Sequence, residues 1–100
     1  MSVEKVLEER GETYGDFKYQ AANAQAIKRL LRTMPNWAVL PDVHREAIES
    51  IAIKLSRMLT GDWAHKDGPI DIAGYAQLIV KYMEEQENER VGQIQRNETS

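Results

Sequence analysis

An all-α fold, a small bundle of about four helices in a single domain, is what this sequence predicts, and three observations carry it. Apolar residues recur at the three- and four-residue spacing of a helix face through most of the chain. No stretch alternates apolar and polar residues with the β-branched enrichment that a strand needs. The chain has 100 residues, 42% apolar and 29% charged, which suits one hydrophobic core and leaves too little for a second domain.

Ser2 is placed to cap a short first helix over about residues 3–10, where Val3, Val6 and Leu7 share a side and Gly11 offers a left-handed stop. Tyr14-Gly15-Asp16 reads as a turn, with Asp16 as the next N-cap. A second helix from Phe17 to about Thr33 places Phe17, Ala24, Ile27, Leu30, Leu31 and Met34 on one side, and Lys18, Gln25, Arg29 and Arg32 on the other. Pro35 ends it, and the connector Asn36–Pro41 is expected to lay Trp37 and Leu40 over the core. Asp42 is the expected cap of a third helix running to about Thr60 and stopping at Gly61. His44, Ala47, Ile48, Ile51, Leu55, Met58 and Leu59 should face inward, with Glu46, Glu49, Ile53 and Arg57 opposite.

After a loop from Gly61 to Gly68, Pro69 lies where a first helical turn tolerates a missing N–H, and the fourth helix should extend to about Glu87. Its stripe of Ile72, Ala76, Ile79, Val80 and Met83, flanked by Tyr75, Leu78 and Tyr82, is wider than one neighbouring helix can cover. Burial between two helices, or at a subunit or partner contact, is the expectation, with a homodimer as one way of covering it. The domain is expected over residues 1–90. Residues 91–100 lack a periodic apolar face and are expected to form a disordered tail.

Composition narrows the function. There is no cysteine, which removes disulfides, thiolate catalysis and cysteine zinc sites and fits a reducing cytoplasm. No apolar run approaches the roughly 20 residues that span a bilayer, and the acidic amphipathic N-terminus is unlike a signal peptide, so no membrane role is expected. The net charge is −3 but uneven: residues 1–16 hold five acids and two bases, residues 17–33 four bases and no acid, and residues 84–100 five acids and two bases. Duplex DNA binding is not expected, because its affinity comes from a broad basic surface.

Candidate site residues fall into groups. Glu46 and Glu49 stand three apart on the third helix, and Asp67 and Asp71 four apart at the mouth of the fourth. Four carboxylates can hold Mg²⁺. The Glu46-x-x-Glu49 pair is similar to the acidic pattern of the all-α nucleoside triphosphate pyrophosphohydrolases, although Asp67-x-x-x-Asp71 departs from their downstream Glu-x-x-Asp. Because Glu46 and Glu49 should point away from the packed side, such a site needs a dimer, and the competing reading is a solvated charged face. Asp67 reads equally as a helix cap and Asp71 as a first-turn acid. His65-Lys66-Asp67 could receive a phosphate-bearing ligand at a helix N-terminus, and Lys54 or Lys66 could hold phosphate. His44 reads as a core histidine. Arg29 and Arg32, with Lys18 and Lys28, form a basic side that could touch an acidic partner or simply be solvated. No complete nucleophilic or phosphate-loop motif is present.

Taken together, Glu9-Arg10-Gly11-Glu12-Thr13-Tyr14-Gly15-Asp16-Phe17, Lys54-Leu55-Ser56-Arg57, Gly61-Asp62, His65-Lys66-Asp67 and Asp71-Ile72-Ala73-Gly74-Tyr75-Ala76 resemble a family of small phage and prophage proteins over about residues 6–84. The resemblance implies an all-α fold, a mobile-element origin and residence in the bacterial cytoplasm. Helical phage proteins of this size include participants in nucleotide metabolism and inhibitors of host defence, among them anti-CRISPR proteins. The expectation is therefore a non-enzymatic inhibitor that binds a bacterial protein complex, such as a CRISPR-type surveillance complex, and needs no cofactor. Arg29, Arg32, Glu46, Glu49, Arg57, His65, Lys66, Asp67 and Asp71 are its candidate contacts. The alternative is a magnesium-dependent nucleotide hydrolase or nucleotide-binding protein with Glu46, Glu49, Asp67 and Asp71 as ligands.

Overall fold

The computed structural model describes residues 2–99 and the side chains of residues 2–98. It is an all-α bundle of four helices: α1 (Val3–Tyr14), α2 (Phe17–Arg32), α3 (Asp42–Thr60) and α4 (Asp67–Thr99), with a single 3-10 turn over Trp37–Val39 between α2 and α3. No helix among the described residues is long and apolar enough to cross a membrane.

Caps account for two of the helix starts. The Ser2 side chain accepts from the Lys5 N–H, and Asp16 accepts from the Lys18 N–H, each satisfying a donor that the first helical turn leaves unpaired. Gly11 does not stop α1. The helix passes through it and closes at Gly15, which takes φ +84° and returns its N–H to the Gly11 carbonyl. At α3 the cap is Pro41, and Asp42 is the first helical residue, where its carboxylate still favours the helix N-terminus. Asp67 likewise stands inside the first turn of α4.

α3 is the central helix and has two working faces, whereas one inward side was expected. Toward α4, His44 meets Tyr82 edge-on with ring centroids 6.0 Å apart, and Lys54 pairs with Asp71 at 2.9 Å. The His44 Nδ1 is buried and finds no hydrogen bond among the described residues. Toward α2, Glu49 pairs with Arg32 at 2.8 Å, the Ser56 hydroxyl donates to the Gln20 carbonyl at 2.6 Å, and Ile53 and Arg57 lie beside Ala21 and Ala24. The side assigned to solvent by its charge is thus the α2 contact for Glu49, Ile53 and Arg57, while Glu46 is exposed as expected.

Among the described residues those buried most deeply are Ala24, Ala47, Ala52, Ser56 and Gln20, and all but Gln20 are small. Small side chains let α2 and α3 approach closely, but each methyl brings only about 0.8 kcal/mol of burial. The expected α2 core is correspondingly reduced. Ala24 is buried and Ile27 and Leu31 half-buried, while Phe17, Leu30 and Met34 are exposed, as is Leu59 on α3. One short α3 face cannot cover the whole apolar width of α2. Trp37 and Leu40 are half-buried in the connector, and the Arg45 guanidinium ties it down by donating to the Trp37 and Ala38 carbonyls at 3.1 and 2.6 Å.

α4 continues past the Glu87 end read from the sequence to Thr99, and Ser100 lies outside the described residues. Helix formers such as Glu, Gln and Arg fill the extension, and no proline interrupts it. At about 1.5 Å per residue α4 is some 50 Å long against some 28 Å for α3, so it overhangs its only extensive neighbour. The molecule measures 65 × 31 × 24 Å with a radius of gyration of 18.7 Å, against about 13 Å for a close-packed chain of this length.

Candidate partner-binding site

Segments far apart in the chain, Thr13–Gly15, Arg57, Thr60–Asp62 and His65, meet at one end of the bundle. The α1–α2 turn crosses the C-terminal end of α3 with backbone against backbone. A Cβ on Gly15 would collide with the Thr60 carbonyl, and one on Gly61 would collide with the Tyr14 backbone. Only glycine fits either position, and at Gly15 the positive φ requires it a second time. The Asp62 N–H donates to the Thr13 carbonyl at 2.8 Å. The Thr60 hydroxyl has a single hydrogen and lies between two carbonyls, Ser56 at 2.9 Å and Tyr14 at 3.1 Å.

This crossing fixes the Tyr14 ring. The Arg57 guanidinium lies over it at 4.7 Å from the centroid, and the His65 ring meets it edge-on at 5.9 Å. His65 Nε2 stands 3.1 Å from the Asp67 carboxylate, a pair that is ionic only when the imidazole is protonated. The Arg57 Nε is buried and has no hydrogen-bond partner among the described residues. Beside this stack opens a cleft of about 840 Å³ walled by Leu7, Arg10, Tyr14, Asp16, Phe17 and Arg57. Phe17 stands at its edge with 74% of its surface exposed. The cleft offers apolar area, aromatic rings, two guanidinium groups and one carboxylate.

The residues singled out from sequence divide among three places. Arg57, His65 and Asp67 share this junction, with exposed Lys66 between the last two in the chain. Asp71 belongs to the α3–α4 contact through Lys54, and Arg32 and Glu49 to the α2–α3 contact. Arg29 and Glu46 are exposed. The four carboxylates do not converge within one chain, because Glu49 faces α2 and Asp71 approaches α3 from the opposite side. Among the described residues no three His, Asp or Glu side chains form a group that could hold a metal ion.

Arg10, Phe17, Ser56 and Thr60 were not among the candidate site residues. For Thr60 the signal lies in pairing, Gly61 beside it and Gly15 beside Tyr14, and no such signal marks Arg10, Phe17 or Ser56. A glycine read alone as a helix stop does not reveal that another backbone lies against it. In comparisons with protein-family models, with curated proteins and with solved structures, nothing matches this chain.

Proposed function

We propose that this chain is a phage-encoded, non-enzymatic inhibitor that binds a bacterial defence or nucleic-acid-handling complex, as anti-CRISPR proteins do, and that the cleft beside Tyr14 is where the complex docks. The observation that carries the reading is the composition of that cleft. Binding energy at protein interfaces concentrates in a few aromatic and arginine anchors set in a preformed pocket, and here Phe17, Tyr14, Arg10 and Arg57 wall one opening. Tyr14 and Arg57 are already ordered by the glycine crossing, so docking costs little of their rotamer freedom. The exposed charges Lys66 and Asp67, beside His65 at this junction, suit a rim that steers association. The phage origin rests on the motif resemblance.

The test uses purified CRISPR-type surveillance complexes and the tagged chain, reading stoichiometric binding and loss of target cleavage. Phe17→Ala and Arg57→Ala should each weaken binding by roughly 30-fold or more, the size of a hot-spot loss of about 2 kcal/mol, while Arg29→Ala should change it little. Binding unaffected by both cleft variants would contradict the assignment of the cleft. The alternative of a magnesium-dependent nucleotide hydrolase requires Glu46, Glu49, Asp67 and Asp71 to be brought together across two copies. Calorimetric titration of nucleoside triphosphates with and without Mg²⁺ tests it directly, with Mg²⁺-dependent heat as the result that would replace the inhibitor reading.

A further inference from the structure

α4 carries an apolar seam that its own chain leaves open. Asp71, Ile72, Tyr75, Ile79 and Tyr82 are half-buried, and the contacts of Asp71 and Tyr82 show that this side faces α3. On the adjoining side Ala73, Ala76, Val80 and Met83 follow one another at alternating steps of three and four residues, and beyond Glu87 the line resumes with Val91 and Ile94. All six are exposed: Val80 by 43%, Met83 by 49%, Val91 by 53% and Ile94 by 51%. A mean step near 3.5 residues is the repeat of a helix that pairs along its length with another helix.

Two further observations bear on the occupant. The accessible surface is 7693 Å², whereas a folded monomer of 11.5 kDa should expose about 5,800 Å². The excess of about 1,900 Å² is spread over the elongated molecule, and the seam of α4, with Val80, Met83, Val91 and Ile94 each about half exposed, contributes to it. Moreover, from Met83 to Glu98 every described residue of α4 is exposed except Gly92. This half propagates from the part of α4 packed on α3, so its helix needs no new nucleus, but Val91 and Ile94 find no cover among the described residues and gain burial only from another surface.

We infer that the chain is a homodimer in which two α4 helices pair antiparallel along this seam. Antiparallel pairing about a two-fold axis near Met83 lays the overhanging half of each α4 on the half of the other that α3 backs. Ile94 then approaches the partner's Ala73, Val91 the partner's Ala76, and Glu87 the partner's Val80. A parallel pair would set Glu87 against Glu87 and align the acid-rich segment Glu84, Glu85, Glu87 and Glu89 with itself, which like-charge repulsion opposes. The seam is distinct from the cleft beside Tyr14, so the dimer presents two such clefts.

Light scattering on the full chain eluting from a sizing column tests the inference, with twice 11.5 kDa as the expected mass. Val80→Glu and Ile94→Glu should each move the mass toward one chain. Met83→Cys, in a chain with no other cysteine, should link two copies on mild oxidation, and Glu85→Cys, off the seam, should not. Ala73→Cys mixed with Ile94→Cys should link, and Ala73→Cys alone should not. A wild-type monomer, a stable mass other than two chains, or a dimer that ignores both charge variants and fails to link through Met83→Cys would each overturn the inference. Self-linking of Ala73→Cys would overturn the antiparallel arrangement.

Discussion

The two ends of this molecule are held by different physics. At the end where the α1–α2 turn crosses α3, backbone lies against backbone, and the Asp62–Thr13 and Ser56–Gln20 hydrogen bonds join segments distant in sequence. At the other end the distal half of α4 keeps its backbone hydrogen bonds within the helix and leaves Val91 and Ile94 in water. The first end is tied together by contacts within one chain. The second has the repeat of an interface and the exposure of an unpaired one, so the two ends differ in whether their apolar surface is covered within the chain.

The comparison breaks most sharply at the crossing. Gly61→Val, or Gly15→Val with its positive φ, should lower stability by more than about 3 kcal/mol, since each forces a side chain into backbone that has no room to shift; chemical denaturation measures it. A midpoint within error of wild type would show that the crossing is not needed. Next in size is Ser56→Val, which puts bulk into a fully buried position and removes the donor to Gln20, at about 1–3 kcal/mol. Ser56→Ala should lose about 1 kcal/mol, and the difference between the two variants separates lack of space from loss of the hydrogen bond.

Smaller still is the stack of Arg57 on Tyr14. A double-mutant cycle with Arg57→Met and Tyr14→Leu should give a coupling of about 0.5–1 kcal/mol. The least is expected from the Arg32–Glu49 pair, whose arginine is half-exposed. Its coupling should be about 0.2–1 kcal/mol and should shrink in high salt. If that pair coupled more strongly than Tyr14 with Arg57, the ordering of polar contacts over the bundle would be reversed.

Much of the fold is legible in the residues, and the failures have physical reasons. Ser2 and Asp16 cap because a side-chain oxygen one or two bonds beyond Cβ reaches the free N–H groups of a first turn, a local fact that sequence carries. Gly11 and Gly15 both fit a helix stop, and what distinguishes them is Thr60, distant in the chain and packed against Gly15 alone. The two faces of α3 are hidden for a related reason. Glu49 and Arg57 read as solvated because they are charged, yet each bridges to a neighbour, Arg32 or Tyr14, and a wheel drawn for one helix contains neither. At the site, Arg57, His65 and Asp67 are candidate contacts in the sequence, but nothing local shows that Tyr14 brings Arg57 and His65 together, and Phe17, expected in the core from its periodicity, stands at the mouth of the cleft instead. The breadth of the apolar face on α4 was legible, and it called for a cover that α3 alone does not provide.

Hydrogen exchange measured across a range of protein concentrations tests the contrast between the two ends most directly. Amides in residues 84–98 should gain protection as concentration rises, with a midpoint equal to that of dimer formation, because the proposed dimer covers their half of α4 with a second chain. Beyond the global stabilisation that association gives every residue, the amides at Gly15 and Asp62 should show no such local opening at any concentration. Protection of residues 84–98 that equals that of the crossing in dilute monomer would contradict the account, since the distal half of α4 would then be held by its own chain.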